Sequence, residues 1–320
     1  MKNFLSSIIL FGISMLVALG IGEAALRFKN ADMRNYDIEM WRYALELKKR
    51  SDDPMLGHDH QHSKSAVLQS VEIRLNELGL RGGPMPPPQP EQRRILFLGS
   101  SVTLGWGVPE KETVEARLQE MFRAEGKDVL VMNAGIGNYN AERYVQRFLT
   151  ELTATKPTDI VVHYFVRDAE KLDAGGGNWL LRNSQLAVTL WIAGSRIFGQ
   201  SGEKSLVEHY REVYEPSQPG YQAMLAALKR LKEYADANGI RVYLAMTPDV
   251  HDLVDYKFDF IHERVKGIAD QYDFHYVDLL PAMRNLKPEE LWSMPGDPHP
   301  NGRGHKLMAE ALFPALQLGK

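Results

Sequence analysis

Five short apolar runs, each too short for a helix and separated by stretches of helical spacing, constrain this chain more than any other feature. They are Ile95-Leu-Phe-Leu98, Val129-Leu-Val-Met132, Asp159-Ile-Val-Val-His-Tyr-Phe-Val166, Ile240-Arg-Val-Tyr-Leu-Ala-Met246 and Phe274-His-Tyr-Val277. A run apolar on nearly every residue reads as a strand buried on both faces, and intervening helices are the crossovers that parallel strands require. Helices are expected over 112–125, 221–237, 256–269 and 306–316, the second closed by the stop signal Asn238-Gly239. The alternation from 95 to 278 predicts a parallel sheet with helices on both faces. At 320 residues and 44% hydrophobic content the chain can bury a sizeable core.

The first run enters a tight turn, Gly99-Ser-Ser101-Val-Thr103-Leu-Gly105, that places Ser101 at the carboxyl end of a strand. Open α/β sheets bind their ligands in that crevice, and a helix starting there favours negative charge beside the hydroxyl. The residues by themselves allow two readings, a presented nucleophile or an ordinary serine N-cap. The turn resembles the first block of the SGNH (GDSL-type) serine hydrolases, Gly-Asp-Ser-x-x-x-Gly, with Ser100 in place of the aspartate.

Three further segments resemble later blocks of that family in the family's order. In Asn133-Ala-Gly-Ile-Gly-Asn-Tyr-Asn140 the family's oxyanion glycine falls on Asn138, with Gly137 one residue early. Arg167-Asp168 stands where the family usually has Asn-Asp; the guanidinium could donate to an oxyanion, pair with Asp168 or recognise an acidic substrate. Pro295-Gly-Asp297-Pro-His299 precedes the last helix; Gly296 occupies the acid position used by many relatives, so the acid is Asp297 in an Asp-x-His arrangement. That spacing also resembles the exported polysaccharide O-acetylation branch of the superfamily.

The resemblance implies a three-layer α/β/α, flavodoxin-like SGNH hydrolase fold over 95–320 with about five parallel strands. It implies a catalytic triad of Ser101, His299 and Asp297, and an oxyanion hole from the backbone of Ser101 and Asn138 together with Arg167. A second Asp-x-His pair, Asp249-Val-His251, competes for the catalytic role; His251 and Asp168 are otherwise candidates to line the pocket.

Outside this domain, residues 4–22 form an uncharged run long enough to span a bilayer. Ala18-Leu-Gly20 resembles a cleavage site, but helical spacing continues through Glu23-Ala-Ala-Leu-Arg27, which favours an uncleaved anchor over 1–29. Lys2 lies on one side and Arg27, Lys29 and Arg34 on the other, so charge disfavours export slightly. The two-residue leading flank and the resemblance favour it, giving an expected periplasmic or extracytoplasmic catalytic domain.

Residues 30–94 read as a lead-in: a helix around 40–50, an alternating edge strand Val71-Glu-Ile-Arg-Leu75, and a stiff linker Pro84-Met-Pro-Pro-Pro-Gln-Pro90. His58, His60 and His62 alternate and would share a strand face that could bind a transition metal, or else form a solvated loop; we expect no metal. Residues 173–219 read as an insertion containing an apolar stretch at helical spacing over 179–198. That stretch is open to three readings: a buried helix, a lid, or an amphipathic helix at a membrane surface.

The absence of cysteine excludes thiol chemistry and disulfides, and a net charge of −3 gives no argument for a nucleic-acid partner. No cofactor is expected. The expected activity is that of a serine acyl hydrolase or esterase on O-acyl, notably acetyl, esters of a saccharide or envelope component. Its rivals are a saccharide O-acetyltransferase working with an integral-membrane acyl-donor protein, and a catalytically silent membrane-linked subunit.

Overall fold

The computed structural model describes residues 2–173, 177–199, 205–295 and 297–318. Part of the Gly175-Gly-Gly177 run, and Gly296 at the alternative acid position, lie outside the described residues. In chain order the helices are α1 (Lys2–Lys29), α2 (Tyr36–Glu46), α3 (Ser101–Leu104), α4 (Val114–Ala124), α5 (Ala141–Arg147), α6 (Trp179–Asn183), α7 (Gln185–Gly199), α8 (Leu206–Val213), α9 (Pro219–Asn238), α10 (Asp259–Gln271) and α11 (Gly302–Leu318). The strands are β1 (Lys48–Arg50), β2 (His58–His60), β3 (Lys64–Leu68), β4 (Val71–Leu75), β5 (Arg93–Gly99), β6 (Val129–Asn133), β7 (Asp159–Phe165), β8 (Arg241–Thr247), β9 (His275–Asp278), β10 (Trp292–Met294) and β11 (Asp297–Pro300).

The chain divides into two compact units, one drawn from residues 1–45 and 175–203, the other from 46–174 and 204–320. In the larger unit β5 to β9 form one five-stranded sheet in the order β6-β5-β7-β8-β9, every pair parallel. The sheet reverses direction at β5: β6 lies to one side, β7 to the other. Right-handed crossovers then put α4 on one face and α5, α9 and α10 on the opposite face, and α11 returns to pack on α4. The crevice at that reversal, outside the carboxyl end of β5, is where doubly wound sheets place their sites.

All five strands predicted by apolar pattern are present within two residues of the expected bounds. Their side chains are the core: Ile95, Leu96, Phe97, Ile160, Val161, Val162 and Leu244 are all fully buried. Gly239 ends α9 with φ of +65°, the left-handed cap that its Asn-Gly signal predicts.

The lead-in differs from the sequence reading. The helix lies at Tyr36–Glu46 rather than around 40–50, because Lys48–Arg50 pairs with His58–His60 as an antiparallel hairpin. The expected strand Val71–Leu75 is present, paired with Lys64–Leu68. Residues 46–94 belong to the same compact unit as the sheet, so the proline-rich stretch is not the boundary of the folded body. The three histidines do not converge. His58 Nε2 and His60 Nδ1 meet the carbonyls of Gly137 and Gly79, and His62 Nε2 lies 3.8 Å from Asp59 Oδ2.

In the smaller unit the stretch expected as one helix over 179–198 is split at Ser184 into α6 and α7. Among the described residues α1 is the one helix long and apolar enough to cross a membrane, and none of its apolar window is buried.

Candidate active site

Ser101 opens α3 immediately after β5, with Ser100 as the N-cap. Two contacts explain the local glycines. A Cβ on Gly99 would lie 2.0 Å from Thr103 Oγ1 and 2.9 Å from the His163 carbonyl, so only glycine lets the turn close over Thr103. A Cβ on Gly135 would lie 2.2 Å from the backbone nitrogen of Leu104, so glycine also lets the loop after β6 press against α3. That loop continues the ladder, Ala134 N–H donating to Phe97 O and Ile136 N–H to Gly99 O. Asn133 Nδ2 ties it to Thr103 O at 2.6 Å.

The structure brings the three expected triad residues together. Ser101 Oγ lies 2.8 Å from His299 Nε2, and His299 Nδ1 lies 2.5 Å from Asp297 Oδ1. The same Asp297 oxygen accepts the His299 backbone N–H at 3.1 Å, which fixes ring and main chain together. With Nδ1 donating to the carboxylate, Nε2 is left as acceptor for the serine proton. Asp297 is buried, which alone would raise its pKa. The hydrogen bonds from the His299 ring, from Gln69 and from the His299 backbone N–H outweigh this and hold the carboxyl below its usual range.

Two further residues, which sequence reasoning missed, complete the carboxylate's partners. Gln69 Nε2 donates to Asp297 Oδ2 at 2.9 Å and Ser293 Oγ donates to the same oxygen at 3.1 Å. Gln69 sits in the turn between β3 and β4, where both Gln69 and Ser70 have positive φ. Gly107 makes the room, since a Cβ there would lie 2.4 Å from Gln69 Oε1. The lead-in also supplies Arg81, whose buried guanidinium donates to the carbonyls of Leu104, Gly105 and Val108 and so pins the segment following the nucleophile.

The expected oxyanion residues fare differently. Asn138 adopts φ of +65°, the left-handed conformation that favours glycine and agrees with its counting onto the family's glycine position. The preceding carbonyl, Gly137 O, is gripped from the lead-in by Lys48 Nζ at 2.7 Å and by His58 Nε2 at 3.1 Å. Because the peptide is planar and trans, holding that carbonyl sets the opposite direction of the Asn138 N–H. Burial, with Arg143 nearby, pushes Lys48 down to about 7. Arg167, by contrast, is directed elsewhere. Its side chain is 55% exposed, and Nε and Nη2 donate to Glu170 Oε2 at 3.2 and 3.1 Å. The turn after β7 buries Asp168 and leaves Arg167 outside, where its guanidinium pairs with Glu170.

Asp168 is not a pocket residue: it is fully buried and accepts the Phe165 N–H at 3.0 Å and the Tyr144 hydroxyl at 3.1 Å. Burial pushes its carboxyl up to about 8. Two other histidines near the site are structural. His163 meets Thr103 Oγ1 through Nδ1 at 3.2 Å, and burial pushes its pKa down to about 4. His305 accepts the Val114 N–H at 3.1 Å, and burial holds it well below the usual histidine range.

The second Asp-x-His pair repeats the local geometry of the first, with His251 Nδ1 2.6 Å and His251 N 2.9 Å from Asp249 Oδ1. It lies beside the triad, since Trp292, next to Ser293, donates its indole N–H to Val250 O at 2.8 Å. The His251 ring is half exposed, and its contacts among the described residues are to Asp249.

A family model described as GDSL-like Lipase/Acylhydrolase family matches residues 97–307. No curated protein matches the chain. Similar solved structures include a GDSL-like lipase from Bacteroides thetaiotaomicron, 16% identical, covering 73% of this chain and 93% of its own, with a TM-score of 0.41. A psychrotrophic esterase from Pseudoalteromonas sp. is 16% identical over 71% of this chain and 98% of its own, TM-score 0.43. A mutant of an acetyl-xylooligosaccharide esterase from Geobacillus Stearmophilus is 17% identical over 69% and 93%, TM-score 0.46.

Proposed function

Because this chain belongs to the GDSL-like lipase/acylhydrolase family, we propose that it is a serine esterase acting through Ser101, His299 and Asp297. The observation that carries this reading is the unbroken relay from Ser101 Oγ through the two nitrogens of His299 to a buried Asp297. His299 Nε2 takes the Ser101 proton as Oγ attacks the ester carbonyl carbon. The oxyanion is held by the backbone N–H groups of Ser101 and Asn138 at the start of α3 and on the Gly137–Asn138 peptide. His299 then gives the proton to the departing alkoxide, leaving an acyl-serine. Water, deprotonated by the same nitrogen, releases the carboxylic acid and restores the serine. Asp297 holds the ring tautomer and stabilises the imidazolium of each step.

The substrate class we assign is an O-acyl, notably O-acetyl, ester of a saccharide or envelope component, met at a membrane in which α1 is embedded. The catalytic unit lies on the extracytoplasmic side. Support for the anchor comes from the uncharged apolar run over 4–22 within α1, none of whose apolar window is buried. The Asp-x-His spacing of Asp297 and His299 favours a second reading, in which a saccharide hydroxyl replaces water and an integral-membrane protein supplies the acyl group.

The test is release of acetate from a p-nitrophenyl ester and from an O-acetylated oligosaccharide by the full chain in detergent. Activity lost in Ser101→Ala supports the esterase. Mass gain on an unacetylated oligosaccharide acceptor supports transfer. A parent as slow as Ser101→Ala in both assays overturns the enzymatic reading in favour of a silent subunit.

A further inference from the structure

Within the smaller unit, α1 does not stand alone. The Glu23 carboxylate accepts the Ser184 hydroxyl at 2.9 Å and the backbone N–H groups of Gln185 and Leu186 at 3.0 and 2.9 Å, three donors at the first turn of α7. Arg27 donates to the same carboxylate at 2.7 Å and to the Asn183 carbonyl at 3.2 Å. Asn30 Nδ2 donates to Gln185 Oε1, and the Trp41 indole N–H to Leu181 O. A carboxylate at a helix N-terminus satisfies orphan N–H groups and complements the helix dipole. This cap is what breaks the stretch over 179–198 into two helices at Ser184.

The order of contacts fixes the direction of α7. Leu181 meets Trp41, Asn183 meets Arg27, Ser184 to Leu186 meet Glu23, and the Leu186 side chain reaches Gly22 at 3.4 Å from its ideal Cβ position. On α1 itself the contacts move from Arg27 to Glu23 to Gly22 as the chain advances from Asn183 to Leu186, with Gln185 also reaching Asn30 just beyond the helix. α7 therefore turns back along α1 towards its apolar run. α7 is apolar over Gln185–Ser195 and presents Leu190 and Trp191 outward, 62% and 65% exposed.

We propose that α7 enters the lipid bilayer beside α1 as a half-spanning helix, docked at the membrane boundary by Glu23. The inference rests on α1 being embedded. Residues 4–22 at ~1.5 Å per residue reach ~28 Å, the thickness of a bilayer core, so Glu23 stands at the boundary. From there the eleven residues of Gln185–Ser195 reach ~16 Å, about one leaflet. Lipid is the occupant that continuity with α1 selects for Leu190 and Trp191. The polar residues of α7 nearest its start, Gln185 and Thr189, are largely turned inward, Gln185 onto Asn30.

The chain contains no cysteine, so single sites can be labelled without a further change. Leu190→Cys, Leu16→Cys in α1 and Val254→Cys in the larger unit would each carry an environment-sensitive dye, in full-length protein reconstituted into phosphatidylcholine vesicles. Quenching by acyl-chain spin-labelled lipid is read against quenching by aqueous iodide. The expected result is lipid quenching at 16 and 190 and iodide quenching at 254. Glu23→Ala should lower lipid quenching at 190 at least twofold without changing that at 16. Lipid quenching at 16 with iodide quenching at 190 overturns the proposal and leaves the anchor standing. Iodide quenching at both overturns the anchor and the proposal with it. Shielding of 190 from both quenchers overturns it in favour of a second copy or another protein on this face. An unchanged 190 signal in Glu23→Ala overturns the role given to Glu23.

Discussion

Two Asp-x-His pairs lie side by side at the carboxyl end of this sheet, and within each pair the geometry is nearly the same. In both, one carboxylate oxygen meets the histidine's backbone N–H and its Nδ1, at 3.1 and 2.5 Å in Asp297-His299 and at 2.9 and 2.6 Å in Asp249-His251. What differs is everything around them. Asp297 has a second oxygen held by Gln69 and Ser293, and His299 has Ser101 at its far nitrogen. His299 is 13% exposed and His251 51%. The motif therefore supplies an oriented imidazole, and the site is made by what meets Nε2 and by what surrounds the acid.

The comparison breaks most visibly on the bases. His299→Ala and Ser101→Ala should each lower kcat for ester hydrolysis by on the order of 10⁴ to 10⁶, whereas His251→Ala should change it by less than about tenfold. The reverse ranking in steady-state kinetics would transfer the catalytic role to the second pair. The acids should follow the bases at a smaller scale. Asp297→Asn keeps the shape but offers the wrong hydrogen-bonding partner to Nδ1, with an expected loss of about 10⁴ in kcat. Asp249→Asn should leave kcat within a few-fold, measured in the same assay.

Gln69→Ala sharpens the comparison one step further out, because the second pair has no counterpart to this residue among its described contacts. A hydrogen bond to a charged group contributes about 1.5–3 kcal/mol, which corresponds to roughly 10- to 100-fold in rate. The loss should appear in kcat with KM unchanged, since Gln69 acts through its hydrogen bond to Asp297. A pure KM effect would assign Gln69 to binding instead.

These residues also mark the limit of what sequence could reveal. The five parallel strands were legible because burial on both faces writes itself as an uninterrupted apolar run, whereas the grouping of Ser101, Asp297 and His299 was legible only through the resemblance of their segments to the family's blocks. Gln69 was not legible. It reaches Asp297 across 228 positions, from a Gln-Ser turn that carries neither glycine nor asparagine. Arg81, Lys48 and His58 act on loops that follow β5 and β6 through long-range packing, which local composition does not encode. Arg167 stands where the family's block usually has asparagine, a position compatible with several roles, and its side chain is directed by Glu170, three residues on. The break at Ser184 has its cause in Glu23, 161 residues away.

The smallest effect concerns stability, and its sign separates the pairs. Hydrogen bonding to Asp249 raises the His251 pKa above the model-peptide value of 6.5, with burial opposing. The folded protein then holds that proton more tightly than the unfolded chain. The resulting stabilisation is complete below about pH 6.5 and is lost as pH rises through the raised folded value. Asp297 works in the opposite sense: its lowered pKa contributes stability present above about pH 4 that is lost as pH falls through the folded value. Because the His251 ring is half exposed, water screens the pair and its contribution should stay under about 1 kcal/mol. His251→Gln should therefore lower the thermal midpoint by less than ~4 °C near pH 5.5 and leave it unchanged near pH 9. An equal loss at both pH values in thermal unfolding would mean that the neutral ring is a packing element, and the second pair would then be structural rather than a solvated copy of the first.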